Sequence, residues 1–113
     1  MARGIARGIA WGDVRLVEFG SPDKTRPALV LTRTAVISRL SSVTVAPITR
    51  TVRGIPTEVG LGIENGLKVS SVANFDSLQT VGKERIGRYL GSVGAARKSE
   101  IREALLFSFD LED

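Results

Sequence analysis

The chain has 113 residues, of which 42% are hydrophobic, enough for one domain with one modest core. It contains neither cysteine nor histidine. Disulfides, thiolate chemistry, the usual general base and the usual metal ligand are therefore excluded. Sixteen Lys and Arg residues against twelve Asp and Glu residues give a net charge of +4. An Arg-rich basic surface favours phosphate and nucleic acid, although a protein with a merely basic surface fits the charge equally well.

Residues 1–10 form a basic segment that repeats the letters ARGI. The segment lacks the sustained apolar run of a secretion signal, and no apolar stretch of the chain is long enough to span a membrane. We therefore predict a flexible basic leader over residues 1–10 and a single domain over residues 11–113. We also predict no membrane partner and a cytoplasmic location.

The first half of the chain is typical of short strands. β-Branched and aromatic residues predict strands over residues 11–19, 27–32 and 42–48. The continuous apolar run of the second strand predicts burial on both faces. Residues 33–40 fit either a short helix or an irregular crossing. Pro47 indicates a strand end, an edge or a bulge in the third strand, because proline cannot donate a backbone hydrogen bond.

The second half alternates turns with further strands before ending in a helix. Strands are predicted over residues 57–61 and 71–78, a polar loop over 49–54, and turns at Asn65-Gly66 and over 80–85. Residues 86–93 fit a short strand or a connection. Ile101, Ala104, Leu105 and Phe109 recur at helical spacing, and Gly94 is a candidate N-cap.

This order of elements predicts an α+β fold that is mainly β. Strands followed by one amphipathic helix form a small, partly open, mostly antiparallel barrel or sheet with the C-terminal helix packed on it.

Polar residues cluster where three of the predicted strands begin or end. These segments are KTRP with Arg26, APITRT with Thr49 and Arg50, and NFDSLQT with Asp76. Each residue alone has an ordinary explanation: Arg26 as a loop cation, Thr49 as a turn hydroxyl and Asp76 as a structural acid. Their occurrence together in one small basic domain makes them candidates for a site. No glycine-rich loop followed by Lys-Ser or Lys-Thr is present, and no metal-ligand spacing exists, so we expect no cofactor and no metal.

Four segments, in order, resemble one known family. They are GDV before an apolar strand, RPALVLTR, VTVAPITRTVRGIPTEV and GLKVSSVANFDSLQTVGKERIGRYLG. Together with the C-terminal helix, they are similar to the MazF/PemK toxins of toxin–antitoxin systems. The resemblance covers residues 11–111 and implies the MazF/CcdB-like partly open barrel, usually as a homodimer.

The resemblance also implies an activity and its residues. Members of this family are endoribonucleases that cut single-stranded RNA, mRNA or tRNA among them, at short motifs without metal. The family's catalytic arginine falls on Arg26 and its catalytic Thr or Ser on Thr49. Asp76 matches the family's Asp, whereas Ser77 replaces its Gln and Gln79 replaces a frequent basic residue. The substrate-binding residues implied are Lys24, Thr25, Arg50, Arg53, Asn74, Asp76, Ser77 and Gln79. A cognate antitoxin with a disordered tail is the implied partner.

The chemistry that follows uses RNA's own nucleophile. Attack of the 2′-hydroxyl on the adjacent phosphorus gives a 2′,3′-cyclic phosphate and a 5′-hydroxyl. The guanidinium of Arg26 can donate two charge-assisted hydrogen bonds to the phosphate oxygens. Trp11 and Phe75 are candidates for base stacking, although core packing is the stronger expectation for Phe75. Two alternatives remain: a non-enzymatic toxin of the same fold that inhibits DNA gyrase, and a catalytically inactive RNA-binding module.

Overall fold

The computed structural model describes residues 8–21 and 24–112. Most of the predicted leader, residues 1–7, lies outside the described residues. Residues 8–10, where the leader was predicted to end, form neither helix nor strand, and Ala10 donates its backbone N–H to Asp13 Oδ2 at 3.1 Å. Within the described residues, no helix is long and apolar enough to cross a membrane.

The described residues form seven strands and two helices. The strands are β1 (Asp13–Glu18), β2 (Thr25–Val30), β3 (Ser42–Thr49), β4 (Glu58–Leu61), β5 (Ser71–Asn74), β6 (Gln79–Gly82) and β7 (Ile86–Ser92). The helices are α1 (Thr34–Ile37), a single turn, and α2 (Lys98–Ser108). Short 3-10 turns precede or join several of these elements.

The strands make one curled, antiparallel sheet. Its order is β4-β5-β3-β2-β1-β7, and β6 pairs with the first half of β3. The predicted mainly β fold with a partly open, antiparallel barrel and a C-terminal helix is therefore confirmed.

Pro47 lies where β3 changes partners. Residues Ser42 to Val45 of β3 pair with β6, whereas Ile48 and Thr49 pair with β5. The missing N–H of proline falls between these two ladders, so its absence breaks no hydrogen bond of either. The other edge of β3 pairs with β2. The partner change lets the sheet curl, and the antiparallel pairing with β2 places the end of β3 toward the start of β2.

Two buried clusters hold the sheet, one on each side of β2. Leu29 belongs to a cluster with Phe75 and with Ile101 and Ala104 of α2. Ala28 belongs to a second cluster, which includes Val43 of β3 and Ile37 of α1. Ala28 and Leu29 are both fully buried, which confirms that β2 is buried on both faces. The strand therefore gives its exposed first residues a rigid base.

Helix α2 packs on the sheet through Ile101 and Ala104, as predicted from their spacing. Helical structure begins before α2, in a 3-10 turn over Ala95–Arg97 that leads into the helix. Gly94, the predicted N-cap residue, occupies the N-cap position of this turn. Phe109 lies beyond the last turn of α2 and is 58% exposed. The prediction that Phe109 completes the buried face is therefore wrong, because the helix ends before its side chain can reach the core.

Two predictions in the second half of the chain are corrected. The strand predicted over residues 71–78 ends at Asn74, and Phe75–Ser77 form a 3-10 turn. Asn74 ends the strand because its side-chain oxygen accepts the backbone N–H of Asp76 at 2.9 Å. The turn predicted over residues 80–85 contains strand β6, which pairs with β3, followed by a 3-10 turn at Lys83–Arg85.

Candidate active site

The β2–β3 register, extended beyond its last recorded pair, brings Arg26 close to Thr49. The two strands pair Ala28 with Pro47 and Leu29 with Ala46. Continuing this antiparallel register by two residues brings Arg26 across from Thr49. Residues two apart in a strand share a face, so both side chains lie on the face that carries Ala28 and Pro47. Two residues that are 23 positions apart in the sequence thus share one end of the sheet.

Arg26 is exposed and stands on a rigid strand. It pairs with Val17 of β1, and Pro27 after it fixes the backbone direction. Among the described residues, none forms a hydrogen bond or an ion pair with the Arg26 guanidinium. Its planar fork of donors is therefore available to bind two oxygens of an anion such as a phosphate.

The Thr49 hydroxyl is oriented by the backbone that follows it. Its Oγ1 accepts the N–H of Thr51 at 3.1 Å. An oxygen that accepts in this way still carries its own hydrogen. Thr49 therefore presents one donor from a half-buried position beside Arg26.

A first groove beside these residues gathers most of the predicted substrate-binding residues. We call it the Glu58 groove; its volume is about 450 Å³. The described residues that line it are Phe19, Lys24, Arg26, Pro47, Ile48, Thr49, Thr51, Arg53, Glu58, Asn74, Ser77 and Gln79. The residues at the end of β5 and the start of β6 thus reach the same surface as the end of β3.

Glu58 is a groove residue that the sequence analysis missed. Its carboxylate accepts the backbone N–H of Arg53, at 3.1 and 3.2 Å from its two oxygens, and that of Gly54 at 2.9 Å. The acid therefore holds the loop that carries Arg53 over the groove. The only sequence signal for this role of Glu58 is a weak one. It is the position of the glutamate, four or five residues after residues of a basic loop that contains glycine.

A second groove meets the first at Arg26 and Thr49. We call it the Lys68 groove; its volume is about 540 Å³. The described residues that line it are Leu16, Arg26, Pro27, Ile48, Thr49, Arg50, Thr51, Gly66, Leu67, Lys68, Val69, Ser71, Arg88 and Leu90. It includes the predicted Arg50 and adds Lys68 and Arg88, which the sequence analysis did not select.

Two predicted residues lie outside both sets of lining residues. Thr25 pairs with Glu18 at the start of β2. Asp76 is exposed in the 3-10 turn, where its carboxylate accepts the Thr57 hydroxyl at 2.7 Å. The structure therefore brings eight of the ten predicted residues to the two grooves: seven in the Glu58 groove, plus Arg50 in the Lys68 groove.

Neither aromatic candidate lines a groove. Phe75 is only 1% exposed and belongs to the core, as expected. Trp11 packs against the core under Lys98, whose Nζ lies 5.2 Å from the ring centroid, and it faces a shallow depression beside α2. Trp11 is therefore remote from the proposed site, because it precedes β1 beside the Val30 end of β2, whereas Arg26 lies near the other end of that strand. Phe19 is the aromatic residue that the Glu58 groove contains.

The carboxylates of the described residues are dispersed. No group of three or more Asp or Glu side chains among them is close enough together to hold a metal ion.

The chain is similar to known proteins in both sequence and fold. The family model for PemK-like, MazF-like toxins of type II toxin–antitoxin systems matches residues 10–109. The Mycobacterium tuberculosis protein named endoribonuclease MazF3 is 42% identical over 99 residues, covering 88% of this chain and 96% of that protein. The solved structure of the Mycobacterium tuberculosis toxin MazF-mt6 has a TM-score of 0.83 at 40% identity, covering 89% of this chain and 99% of that one.

A third relative was solved with a partner. The structure described as an endoribonuclease in complex with its cognate antitoxin, from a mycobacterial species, has a TM-score of 0.81 at 30% identity. It covers 94% of this chain and 99% of that one. The family match spans the strands that carry Arg26 and Thr49 and both grooves around them. This chain belongs to the family of PemK-like, MazF-like toxins of type II toxin–antitoxin systems.

Proposed function

We propose that this endoribonuclease toxin cuts single-stranded RNA at short sequence motifs, without a metal ion, by attack of the RNA's own 2′-hydroxyl. The observation that carries this proposal is that Arg26 and Thr49 both line each of the two grooves, at the place where the grooves meet. Cations line both grooves, and a polyanionic strand suits such a surface.

In this reaction the 2′-oxygen attacks the adjacent phosphorus and the bond to the 5′-oxygen breaks. Negative charge grows on the nonbridging oxygens as this happens. The guanidinium of Arg26 can donate two parallel hydrogen bonds to those oxygens. Because Arg26 stands on a strand whose following residues are buried, its backbone position is fixed when the charge develops.

Thr49 supplies a second donor from the opposite strand. Its hydroxyl can bind a phosphate oxygen or the attacking 2′-hydroxyl and so align the two reacting atoms. One proton must leave the 2′-oxygen and one must reach the departing 5′-oxygen. Arg26 is exposed, so water at the groove junction can carry both protons.

The remaining predicted residues would hold the strand around the cut. Lys24, Arg50 and Arg53 suit backbone phosphates, whereas Asn74, Ser77 and Gln79 can hydrogen-bond the edges of unstacked bases. Thr25 and Asp76 stay predictions as substrate contacts, with Asp76 already bonded to Thr57.

We further propose that a cognate antitoxin neutralises this chain. The relative solved with its antitoxin supports a partner of the same kind. A disordered acidic tail that folds over the cationic grooves would exclude RNA from Arg26. The family resemblance also predicts a homodimer in the cytoplasm, and sedimentation of the purified protein tests the dimer.

The experiment is cleavage of a mixed-sequence single-stranded RNA in EDTA, with the product ends identified. We expect cuts at one short motif that leave 2′,3′-cyclic phosphate and 5′-hydroxyl ends. Arg26→Ala should abolish them and Arg39→Ala, an exposed cation outside both grooves, should not. If the folded wild type cut nothing, a supercoiling assay would test gyrase inhibition instead, and RNA binding alone would indicate an inactive module.

A further inference from the structure

We propose that the Lys68 groove is a second RNA subsite, in which Lys68 and Arg88 bind backbone phosphates on one side of the reacting phosphate. The proposal rests on the proposed RNA cleavage and extends it. It assigns a role to two cations that the sequence analysis did not select as site residues. It also implies that the enzyme recognises RNA on both sides of the cut.

The loop that carries Lys68 is held tightly against strand β7. Gly66 has a φ of +89°, and a Cβ built on it would collide with the carbonyl of Leu90. A Cβ on Gly91 would collide in turn with the carbonyl of Asn65. The two backbones therefore touch at a pair of glycines, which is the close approach that glycine permits. Lys68 follows this contact by two residues and is thus placed by packed backbone.

Asn65 secures the same loop with hydrogen bonds from a buried side chain. Its Oδ1 accepts the N–H of Gly62 at 3.0 Å, and its Nδ2 donates to the Ser92 carbonyl at 3.1 Å. The side chain is almost fully buried. These bonds and the glycine contact fix the backbone that leads to Lys68, which reduces the backbone entropy lost when an anion binds.

The charge of the groove is entirely positive among its described lining residues. Arg26, Arg50, Lys68 and Arg88 line it, and none of the other described lining residues is acidic. Lys68 and Arg88 are both exposed, and the described residues offer neither of them an ion pair. In the Glu58 groove, by contrast, a carboxylate stands among the cations.

The floor of the groove is apolar. Buried Ile48 and Leu67 and half-buried Leu16 and Leu90 lie beneath the cations. A cationic rim above an apolar floor suits a chain with charged phosphates and flat, apolar base faces.

Continuity with the reacting residues favours RNA over an antitoxin peptide here. Arg26 and Thr49 line both grooves, so a strand whose phosphate lies between them can enter by one groove and leave by the other. An acidic peptide would also be attracted by the cations, but it has no phosphate to place at the junction.

Binding of a noncleavable RNA tests the subsite separately from cleavage. The probe is a mixed-sequence, fully 2′-O-methylated single strand, which lacks the nucleophile. The variant is Lys68→Ala with Arg88→Ala. The matched control is Arg39→Ala with Arg102→Ala, two exposed cations outside both grooves and with the same change in net charge. Thermal unfolding of each protein shows whether it is folded.

The measured quantity is the salt dependence of the dissociation constant. Each phosphate contact to a single strand contributes about 0.7 to the slope of log K against log salt. We expect the groove variant to bind more weakly and to reduce the slope by about 1.4, while the control leaves the slope unchanged. Equal slopes for the two variants would overturn the subsite, whether or not the wild type cuts RNA. Loss of antitoxin binding with an unchanged RNA slope would assign the groove to the peptide and also overturn it.

Discussion

The Thr57 hydroxyl donates a hydrogen bond of 2.7 Å to the Asp76 carboxylate. Thr57 is buried in the turn just before β4, and Asp76 is exposed in the turn after β5. The bond ties the end of the segment that follows Arg53 to the turn that carries Ser77, and both Arg53 and Ser77 line the Glu58 groove. Asp76 therefore has a structural role in the free protein, and any contact with RNA must coexist with it.

Two substitutions separate these roles of Asp76. Thr57→Val removes the donor, and Asp76→Asn weakens the acceptor by removing its charge. If the acid acts only through this bond, both should lower the free energy of unfolding by about 1 kcal/mol and lower cleavage equally. Chemical denaturation and single-turnover cleavage measure the two effects. A much larger loss of cleavage in Asp76→Asn would instead place its carboxylate on the RNA.

The Thr49 hydroxyl should be required for the chemical step. Thr49→Val keeps the shape of the side chain but removes its donor, and we expect cleavage to fall about 100- to 1,000-fold. Thr49→Ser keeps the hydroxyl and should stay close to the wild type. Single-turnover rates with saturating protein separate this loss from weaker binding. Equal rates for the valine and serine variants would contradict a role for the hydroxyl.

The planar fork of Arg26 should matter as well as its charge. Arg26→Lys retains the charge but cannot make two parallel bonds to a phosphate. We expect a cleavage rate between those of the wild type and Arg26→Ala, with little change in unfolding because the side chain is exposed. A lysine variant as fast as the wild type would mean that Arg26 acts only as a point charge.

Glu58 should act by ordering a loop. Glu58→Gln loses the charge that strengthens its bonds to the N–H groups of Arg53 and Gly54. We expect faster amide hydrogen exchange at these two positions and a KM raised several-fold, with kcat nearly unchanged. Glu103→Gln, on the exposed side of α2, is the control. A kcat that fell as steeply as in Thr49→Val would give Glu58 a chemical role.

The glycine contact behind Lys68 should be intolerant of substitution. Gly66→Ala adds a Cβ at φ +89° against the Leu90 carbonyl, and we expect a loss of about 3 kcal/mol of unfolding free energy. Gly60→Ala has open space around its Cβ and should change stability by less than about 1 kcal/mol. Thermal or urea unfolding measures both. Similar stabilities would show that the loop is not packed as described.

Much of the fold could be predicted from local sequence. Runs of β-branched residues predicted the first four strands, and the continuous apolar run predicted a β2 buried on both faces. The failure at residues 71–78 has a local cause, because Asn74 caps a turn while Phe75 and Leu78 still resemble strand residues. Strand β6 was missed because only its pairing with β3 makes it a strand.

The site was predictable where family motifs mark it and unpredictable where tertiary packing builds it. Arg26 and Thr49 stand in recognisable segments, although only the β2–β3 register makes them neighbours. Lys68 and Arg88 lie in a family-like segment, but the resemblance gives neither of them a role, and they line one groove because a loop packs on β7 through two glycines. In the sequence, Glu58 resembles an ordinary acidic residue of a strand. Only its hydrogen bonds to the preceding loop show that it holds that loop in place.

The most direct test of the account replaces a single 2′-hydroxyl of the RNA. Once the cleavage motif is mapped, an oligonucleotide with one 2′-deoxy sugar at the cut position is compared with its all-ribose parent in EDTA. The account predicts that both bind equally well and that only the parent is cut there, leaving a 2′,3′-cyclic phosphate. Cleavage of the deoxy oligonucleotide at the same bond and rate would contradict attack by the RNA's own hydroxyl.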